Sequence, residues 1–185
     1  MTPAAPLAGA SAADLVSVTL SARALPPGAP GEAWLHLAIY AARQDIEAIV
    51  RAQPTEAFAV ASVTAELRPL HGQAAWLGAV VPVHDDPRLV RDHGLAAAAA
   101  ATFGDGDALL LRGNGAVTAA IRPGLAVARM WLLAAACRAY LAACGAGRPQ
   151  PLSSAEIASW RAVQGEMLPR LWHHLRTITA EDACG

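Results

Sequence analysis

The sequence contains no lysine: all fourteen of its basic residues are arginine. A Schiff-base catalyst, a pyridoxal-phosphate anchor and a Walker-type phosphate loop each need a lysine amine, so the absence excludes these three kinds of site. Aromatic side chains are also scarce, at 5% of the residues, and charged side chains reach only 16%. The hydrophobic share of 55% is instead typical of a globular chain with a sizeable core.

An excess of charge of either sign is also missing, because the formal net charge is -1. Such a chain has no electrostatic footprint for nucleic acid or for an anionic membrane, and we expect neither as a partner. A length of 185 residues suits one domain with at most a helical extension. We therefore predict a main domain over residues 1–150 and a C-terminal helical extension over 151–185, packed on the same domain or on a neighbouring subunit.

The cysteines, Cys137, Cys144 and Cys184, are few and odd in number, and they match no metal or redox spacing. The seven-residue step between the first two places both near one helix face, where buried thiols are common. This usage fits a reducing compartment. The richness in alanine without lysine further resembles the codon bias of a GC-rich bacterial genome.

Targeting signals are not recognisable in the sequence. The N-terminus lacks the basic segment and the apolar segment of a signal peptide. The longest apolar stretch, 124–147, is interrupted by Arg129 and Arg138, each of which is costly at a bilayer centre. We therefore expect a cytoplasmic protein without a membrane span.

Strands and helices alternate along the chain, which predicts an α/β sandwich with helices outside the sheet. Asp86 is expected to cap one helix, Gly104 to end it, and Ser153 with Glu156 to form a capping box for the last helix, kinked near Pro169. The predicted strands cover 14–20, 45–52, 78–83, 108–113 and 116–121, and the predicted helices cover 32–44, 55–67, 86–104, 123–144 and 153–178.

Asn114 lies between two glycines in LLLRGNGAVTAAI, residues 109–121. Two apolar runs around an Asn-Gly pair are the signal of a hairpin with a type I′ turn, whose central residues need φ > 0. A second interpretation is the remnant of a metal site, and the choice depends on a segment some sixty residues earlier.

That segment is GEAWLHLAIYAARQDIEAIVRAQPTEAFAVAS, in which Glu32, His36 and Tyr40 follow the pattern E-x-x-x-H-x-x-x-Y. It resembles the central motif of the class II aldolase/adducin family, in which an H-x-H pair follows the glutamate by nineteen residues. The segment ALLLRGNGAVTAAIRPGLAVARMWLLAAACRAYLAA resembles the family's third block, L-x-x-H-G followed by a long helix. The residues between, LRPLHGQAAWLGAVVPVHD, are most similar to the decarboxylase branch. The resemblance spans about 12–145 and implies an α/β/α sandwich around a mixed sheet, commonly assembled as a ring-shaped tetramer.

Carried over residue by residue, the family's catalytic acid/base falls on Glu32, and its three metal-binding histidines fall on Arg51, Gln53 and Asn114. A guanidinium has no lone pair for a metal ion and repels a cation. The Gly113–Gly115 stretch is thus both a turn and the place of a lost ligand, and we expect no metal and no other cofactor.

Two functions then compete for the remaining polar cluster. In the first, Arg51 binds a carboxylate, Gln53 and Asn114 donate to a developing enolate, and Glu32 is the acid/base of a metal-free lyase or isomerase. The substrate is a small carboxylate-bearing or enolisable molecule, and decarboxylation, retro-aldol cleavage and enolate-mediated cyclisation all remain open. In the second, Arg51 and Glu32 form an ion pair in an inert site, and the protein serves binding or assembly.

Several further residues carry open alternatives. His71 lies in a loop and is a candidate substrate contact, as is Tyr140, which otherwise packs in an alanine-rich helix. His36 is expected to be a buried, hydrogen-bonded histidine. For His84 with Asp85 and Asp86, a helix cap is favoured over a ligand cluster. His173 and His174 diverge by ~100° on a helix and are expected at the surface or an interface.

Two expectations concern the substrate and the assembly. The family's phosphate-binding G-N-x-S turn, which belongs to a preceding segment of about forty residues, has no counterpart in this sequence, so a phosphorylated sugar is not expected as substrate. The apolar composition and wide alanine faces predict extra buried surface between subunits, and hence a homo-oligomer, most simply a tetramer.

Overall fold

A computed structural model describes residues 1–5 and 10–182 of the chain, with side chains described as far as residue 178. By their internal contacts, the residues form two compact units. The first comprises Met1–Gln44 and Leu89–Ala101, and the second comprises Asp45–Arg88 and Thr102–Gly185. Cys184 lies outside the described residues.

The first unit contains helix α1, Ala33–Ala42. It also contains most of helix α3, which spans His93–Phe103. Trp34 of α1 and His93 pack with their ring centroids 3.9 Å apart. The predicted strand over 14–20 is wrong: a short 3₁₀ segment, Ala12–Asp14, is followed by irregular chain. Leu15 and Leu20 are more than half exposed, so the alternating pattern there has no sheet against which to bury its apolar side chains.

The second unit is built on a mixed five-stranded sheet with the order β1-β5-β4-β3-β2. Only β3 and β4 are parallel, and the other neighbouring pairs are antiparallel. Every residue of β4 and β5 is buried, as expected for short apolar runs in a sheet centre. The α/β prediction is confirmed. The strands are β1, Ala48–Ala52; β2, Glu66–Leu67; β3, Val81–His84; β4, Ala108–Leu111; and β5, Gly115–Ala120.

Four further helices belong to this unit: α2, Thr55–Val63; α4, Pro123–Ala146; α5, Ser154–Ala162; and α6, Gln164–Asp182. The core between sheet and helices includes Trp76, Leu110 and Leu132, all fully enclosed. Thr118 of β5 donates its buried hydroxyl hydrogen to the Ala126 carbonyl at 2.8 Å, which joins the sheet to α4. The second unit therefore pairs the edge strand β1 with β5, and helix α4 packs on both strands.

Helix α4 is long and apolar enough to cross a membrane by length and composition alone. In this structure it packs on β5, α2 and α6 and contributes many buried residues to the core. Its two arginines are paired, Arg129 with Asp107 at 3.0 Å and Arg138 with Glu56 at 2.8 Å. Paired charges and core contacts on several sides are those of a central helix in a globular unit.

The cysteines differ from the prediction that both would be buried. Cys137 lies in the core, and burial raises the pKa of its thiol to about 12. Cys144 is exposed, two turns further along α4. A thiol that stays protonated at neutral pH is a packing residue rather than a nucleophile, and this is the role of Cys137.

The C-terminal segment packs on the second unit through specific contacts. The capping box of Ser153 and Glu156 is confirmed, with the Ser153 backbone N–H donating to the Glu156 carboxylate at 2.8 Å. The predicted single kinked helix is instead two helices, α5 and α6, interrupted at Val163, with Pro169 inside α6. The indole of Trp160 covers Gly72, where a Cβ would lie 1.8 Å from the ring. These contacts fix α5 against the segment before β3.

The start of α3 also differs from the prediction. Asp86 does not cap this helix; its carboxylate instead pairs with Arg88 at 2.6 Å. The cap is Asp92, whose Oδ1 accepts from the Leu95 backbone N–H at 2.9 Å. Gly104 ends the helix with φ of 57°, as predicted.

Candidate functional site

Arg51, Gln53 and Asn114 meet at one end of two neighbouring strands. β1 ends at Ala52, which pairs with Ala116 near the start of β5. The Arg51 Nη2 donates to the Asn114 backbone carbonyl at 3.2 Å. The Gln53 side chain passes Gly115 so closely that a Cβ there would lie 3.0 Å from the Gln53 Cγ. Three residues separated by up to 63 positions are thus brought into one cluster.

The turn that carries Asn114 is not the predicted type I′ turn. Gly113 and Gly115 have φ of 71° and 91°, whereas no described residue other than glycine has a positive φ. The Asn114 N–H donates to the Leu111 carbonyl at 2.9 Å, and Leu111 pairs with Gly115 across the hairpin. The connection therefore has three residues, with the left-handed conformation on either side of Asn114. Gly115 has a further reason to be glycine, because a Cβ would lie 2.3 Å from the Ala52 carbonyl oxygen.

The Asn114 side chain is an anchor for the loop after β3. Its Nδ2 donates to the carbonyls of Pro87 at 3.1 Å and Arg88 at 2.8 Å, and the residue is 2% exposed. Both hydrogens of the amide are directed at carbonyls within the protein, and the role of Asn114 as a substrate contact stays a prediction. The amide oxygen of Asn114 can still accept a hydrogen bond from another group.

The donor set at this cluster does not fit a divalent metal ion. Arg51 presents only N–H donors, and the Asn114 amide is oriented as a donor toward two carbonyls. Zinc sites use imidazole, thiolate or carboxylate ligands. Throughout the part of the chain that the structure describes, no group of three or more His, Cys, Asp or Glu side chains could hold a metal ion.

Glu32 lies in the first unit, at the N-terminus of α1. Its Oε1 accepts from the Nε and the Nη2 of Arg91, each at 3.1 Å, and its side chain is 17% exposed. Gly31 makes room for this partner, since a Cβ there would lie 3.1 Å from the Arg91 Cγ. The two residues are 59 positions apart, so no sequence pattern pointed to Arg91. An adjacent guanidinium favours the ionised form of a carboxylate.

His71 and Tyr140, the two further candidate contacts, lie in the second unit. His71 precedes a 3₁₀ segment, Gly72–Leu77, and burial lowers the pKa of its imidazole. Tyr140 packs against the hydrophobic core from α4. Their role as substrate contacts stays a prediction.

The cluster of His84, Asp85 and Asp86 is neither a helix cap nor a ligand set. Asp85 pairs with Arg112, and Asp86 pairs with Arg88. The Nδ1 of buried His84 lies 2.9 Å from the Thr102 hydroxyl. These carboxylates therefore serve the loop between β3 and α3, the same loop that Asn114 holds.

Residues 3–141 match the family described as Class II Aldolase and Adducin N-terminal domain. Among solved structures, an L-fuculose 1-phosphate aldolase is similar with a TM-score of 0.79 and 24% identity, over 87% of this chain and 77% of that one. The L-fuculose-1-phosphate aldolase from Thermus thermophilus gives a TM-score of 0.68 and 26% identity, over 80% of each chain. YgbL from Escherichia coli, a putative aldolase/epimerase/decarboxylase, gives 0.66 and 23%, over 78% and 72%. No curated protein matches the sequence significantly.

Proposed function

The chain belongs to the class II aldolase and adducin family, and from this membership we propose that it is a metal-independent carbon–carbon lyase or isomerase-type enzyme. Its substrate is a small carboxylate-bearing or hydroxy-aromatic molecule, and its reaction is a decarboxylation, a retro-aldol cleavage or an enolate-mediated cyclisation. The description of the similar YgbL, an aldolase/epimerase/decarboxylase, covers two of these reaction types. We propose that it acts in the cytoplasm as a homo-oligomer, most simply a tetramer.

The observation that carries the proposal is the position of Arg51. The guanidinium lies at the end of β1, on the residue that the family resemblance aligns with a histidine ligand, and it is partly buried. A fixed positive charge there can bind a carboxylate or a developing enolate through two parallel hydrogen bonds. Arg51 thus supplies the charge that a metal ion would supply, and the exposed Gln53 beside it can add an amide hydrogen bond.

Glu32 is proposed as the general base on the strength of the family alignment. The Arg91 guanidinium at 3.1 Å favours its carboxylate form, which suits removing a proton rather than donating one. In the proposed reaction Glu32 accepts a proton from the substrate while Arg51 stabilises the negative charge that remains.

The second candidate is a non-catalytic family member with a binding or assembly role. The observation that favours it is that Glu32, Arg51 and Asn114 all have hydrogen-bond partners inside the protein. Side chains held in this way serve structure equally well, so activity must decide between the two functions.

The test is a turnover assay on a panel of hydroxybenzoic acids and short 2-keto and 2-hydroxy acids, followed by release of carbon dioxide and by proton NMR of the products. Arg51→Lys keeps the charge but loses the planar two-pronged contact, at ~1.5–3 kcal/mol, so binding should weaken about ten- to a hundredfold. Glu32→Gln should lower turnover by ~10²–10⁴-fold and leave binding nearly unchanged. Arg68→Lys and Glu66→Gln, an exposed pair on the same chain, are the matched controls.

Metal independence has its own measurement. Elemental analysis after mild purification should find no stoichiometric transition metal, and EDTA should change neither turnover nor the melting temperature, because a bound ion would add stability by linkage. About one zinc, manganese or iron per chain would refute the metal-free mechanism. Absence of turnover across the panel, with variants that alter only the melting temperature, would establish the non-catalytic alternative.

A further inference from the structure

The residues on both sides of Arg91 are anchored within the first unit. Val90 is 4% exposed, and the Asp92 carboxylate caps α3 with a hydrogen bond of 2.9 Å. The His93 imidazole packs on the Trp34 indole of α1. Because these contacts fix the backbone before and after Arg91, its side chain starts from a defined position beside the N-terminus of α1.

Arg91 contacts Glu32 through two donors. The Nε and the Nη2 of its guanidinium both donate to the Glu32 Oε1, each at 3.1 Å. Two hydrogen bonds from one planar group restrict the orientation of a carboxylate more than a single contact does. The glycine before Glu32 permits this approach, because a Cβ at Gly31 would lie 3.1 Å from the Arg91 Cγ and 3.2 Å from its Cδ.

Glu32 occupies the N-cap position of α1, where a side-chain oxygen often accepts from the first backbone N–H groups of a helix. Within the described residues 32–42, however, the Glu32 side chain makes no capping hydrogen bond. The carboxylate is directed toward Arg91, and its side chain is only 17% exposed. The contact with Arg91 therefore does not serve the cap of α1.

The Arg91 guanidinium is a positive charge in direct contact with the Glu32 carboxylate, and such a charge stabilises the ionised form. Two acidic side chains of the same unit are held elsewhere, Asp92 at the start of α3 and Asp14 by the Ser11 hydroxyl. Among its described residues, the other ionisable groups of this unit are the Met1 ammonium, Arg23, His36, Tyr40, Arg43 and His93.

We propose that Arg91 is a positioning residue for Glu32: it keeps the carboxylate ionised and holds it in one orientation. This inference rests on the proposed function, in which Glu32 is the general base. Arg91 acts through Glu32 and does not contact the substrate. Its loss should therefore change turnover and the pH range of activity, and it should leave substrate binding nearly unchanged.

The first test needs no substrate. The full chain is labelled with ¹³C at the glutamate carboxyls and titrated by NMR from pH 7 to pH 3.5, and Glu32→Gln assigns the Glu32 signal. The pKa of the Glu32 carboxyl should lie about one pH unit higher in Arg91→Ala than in wild type, and Arg91→Lys should raise it less because the charge is kept. An unchanged pKa in Arg91→Ala overturns the proposal, whatever activity the protein has.

His93→Ala is the matched control, because it removes the contact of a neighbouring residue with the same helix. It should lower the melting temperature and leave the pKa of the Glu32 carboxyl unchanged. An equal rise of this pKa in His93→Ala and Arg91→Ala would mean that the segment acts only through general packing, which contradicts the proposal. If Arg91→Ala misfolds, Arg91→Gln keeps most of the side-chain length without the charge, and the same rise is expected from it.

The second test uses a compound that the wild type turns over. Arg91→Ala should lower kcat about tenfold and change KM less than twofold, and the acid limb of its kcat/KM profile should lie about one pH unit higher. A raised KM with unchanged kcat would place Arg91 on the substrate and overturn the positioning role. If the wild type turns over no compound of the panel, the proposed function fails, whereas the carboxyl titration still decides how Arg91 acts on Glu32.

Discussion

Buried polar side chains lie at both ends of β1 and β5, and they differ in whether their hydrogen-bonding groups have partners within the protein. At one end, the Asn114 amide donates to two carbonyls of the loop after β3, and Arg51 donates to the Asn114 backbone carbonyl. At the other end, the Gln164 oxygen is buried and has no hydrogen-bond partner among the described residues. The residue type alone therefore does not determine what a side chain can bind. Binding depends on which of its donors and acceptors are not already hydrogen-bonded within the protein.

This comparison predicts that the Arg51 end tolerates change worst, and Gly115→Ala should have the largest effect. A Cβ there would meet the Ala52 carbonyl oxygen at 2.3 Å on a backbone with φ of 91°. Strain and overlap together should lower the free energy of unfolding by about 3–5 kcal/mol. Urea denaturation measures this as a lower midpoint with an unchanged slope.

The matched variant at the opposite end is Gly165→Ala. A Cβ at this helical position has nothing within 4 Å, so the free energy of unfolding should stay constant or rise by up to ~1 kcal/mol. Equal losses at both glycines would contradict the difference between the two ends.

Asn114→Ala should have the next largest effect. The change removes two hydrogen bonds to the Pro87 and Arg88 carbonyls and leaves a buried gap, so the free energy of unfolding should fall by about 2 kcal/mol. Asn114→Asp keeps the shape but turns a carboxylate oxygen toward the two carbonyls, and we expect at least as large a loss. A well-tolerated aspartate in thermal melts would show that the amide hydrogens do not hold this loop.

Much of the fold follows from local pattern. The fully buried runs of β4 and β5 and the long apolar helix α4 are predictable because burial and periodicity are properties of a few neighbouring residues. The errors have non-local causes. The alternation in 14–20 lacks a partner strand, and the Asp86 carboxylate pairs with Arg88 instead of capping α3.

The sites were less predictable than the fold. The family resemblance pointed to Arg51, Gln53 and Asn114, and the structure brings them together, but their hydrogen-bond partners follow no sequence spacing. Arg88 lies 26 positions from Asn114. The cavity at the opposite end of β1 and β5 needs five separate segments to meet, around Ile46, Asp107, Ala120, Arg129 and Gln164. Of these features, the sequence alone predicts one: Pro169, which removes a backbone hydrogen bond from α6.

Gln164→Leu tests the unsatisfied end directly. A buried acceptor without a partner costs free energy, so its replacement by an apolar side chain of similar size should raise the free energy of unfolding by about 1 kcal/mol. A loss of stability, seen by urea denaturation without ligand, would mean that the Gln164 amide is needed for packing.

The smallest expected effect concerns pH and the Asp86–Arg88 pair in the loop that Asn114 anchors. The Arg88 side chain and backbone N–H hold the pKa of the Asp86 carboxyl well below its ordinary value of 3.8. Because the folded-state pKa is lowered, the pair stabilises the fold above pH ~4, and its contribution is lost as the pH falls below that value.

The pair is exposed to solvent, so Asp86→Asn should lower the melting temperature only slightly at pH 6. The difference between wild type and variant should shrink steadily as the pH falls from 4 to 2, and salt should reduce it at every pH. Thermal melts from pH 6 to pH 2 at two salt concentrations measure it, and Asp105→Asn is the matched control. A difference that grows as the pH falls would reverse the sign and contradict the role of Arg88.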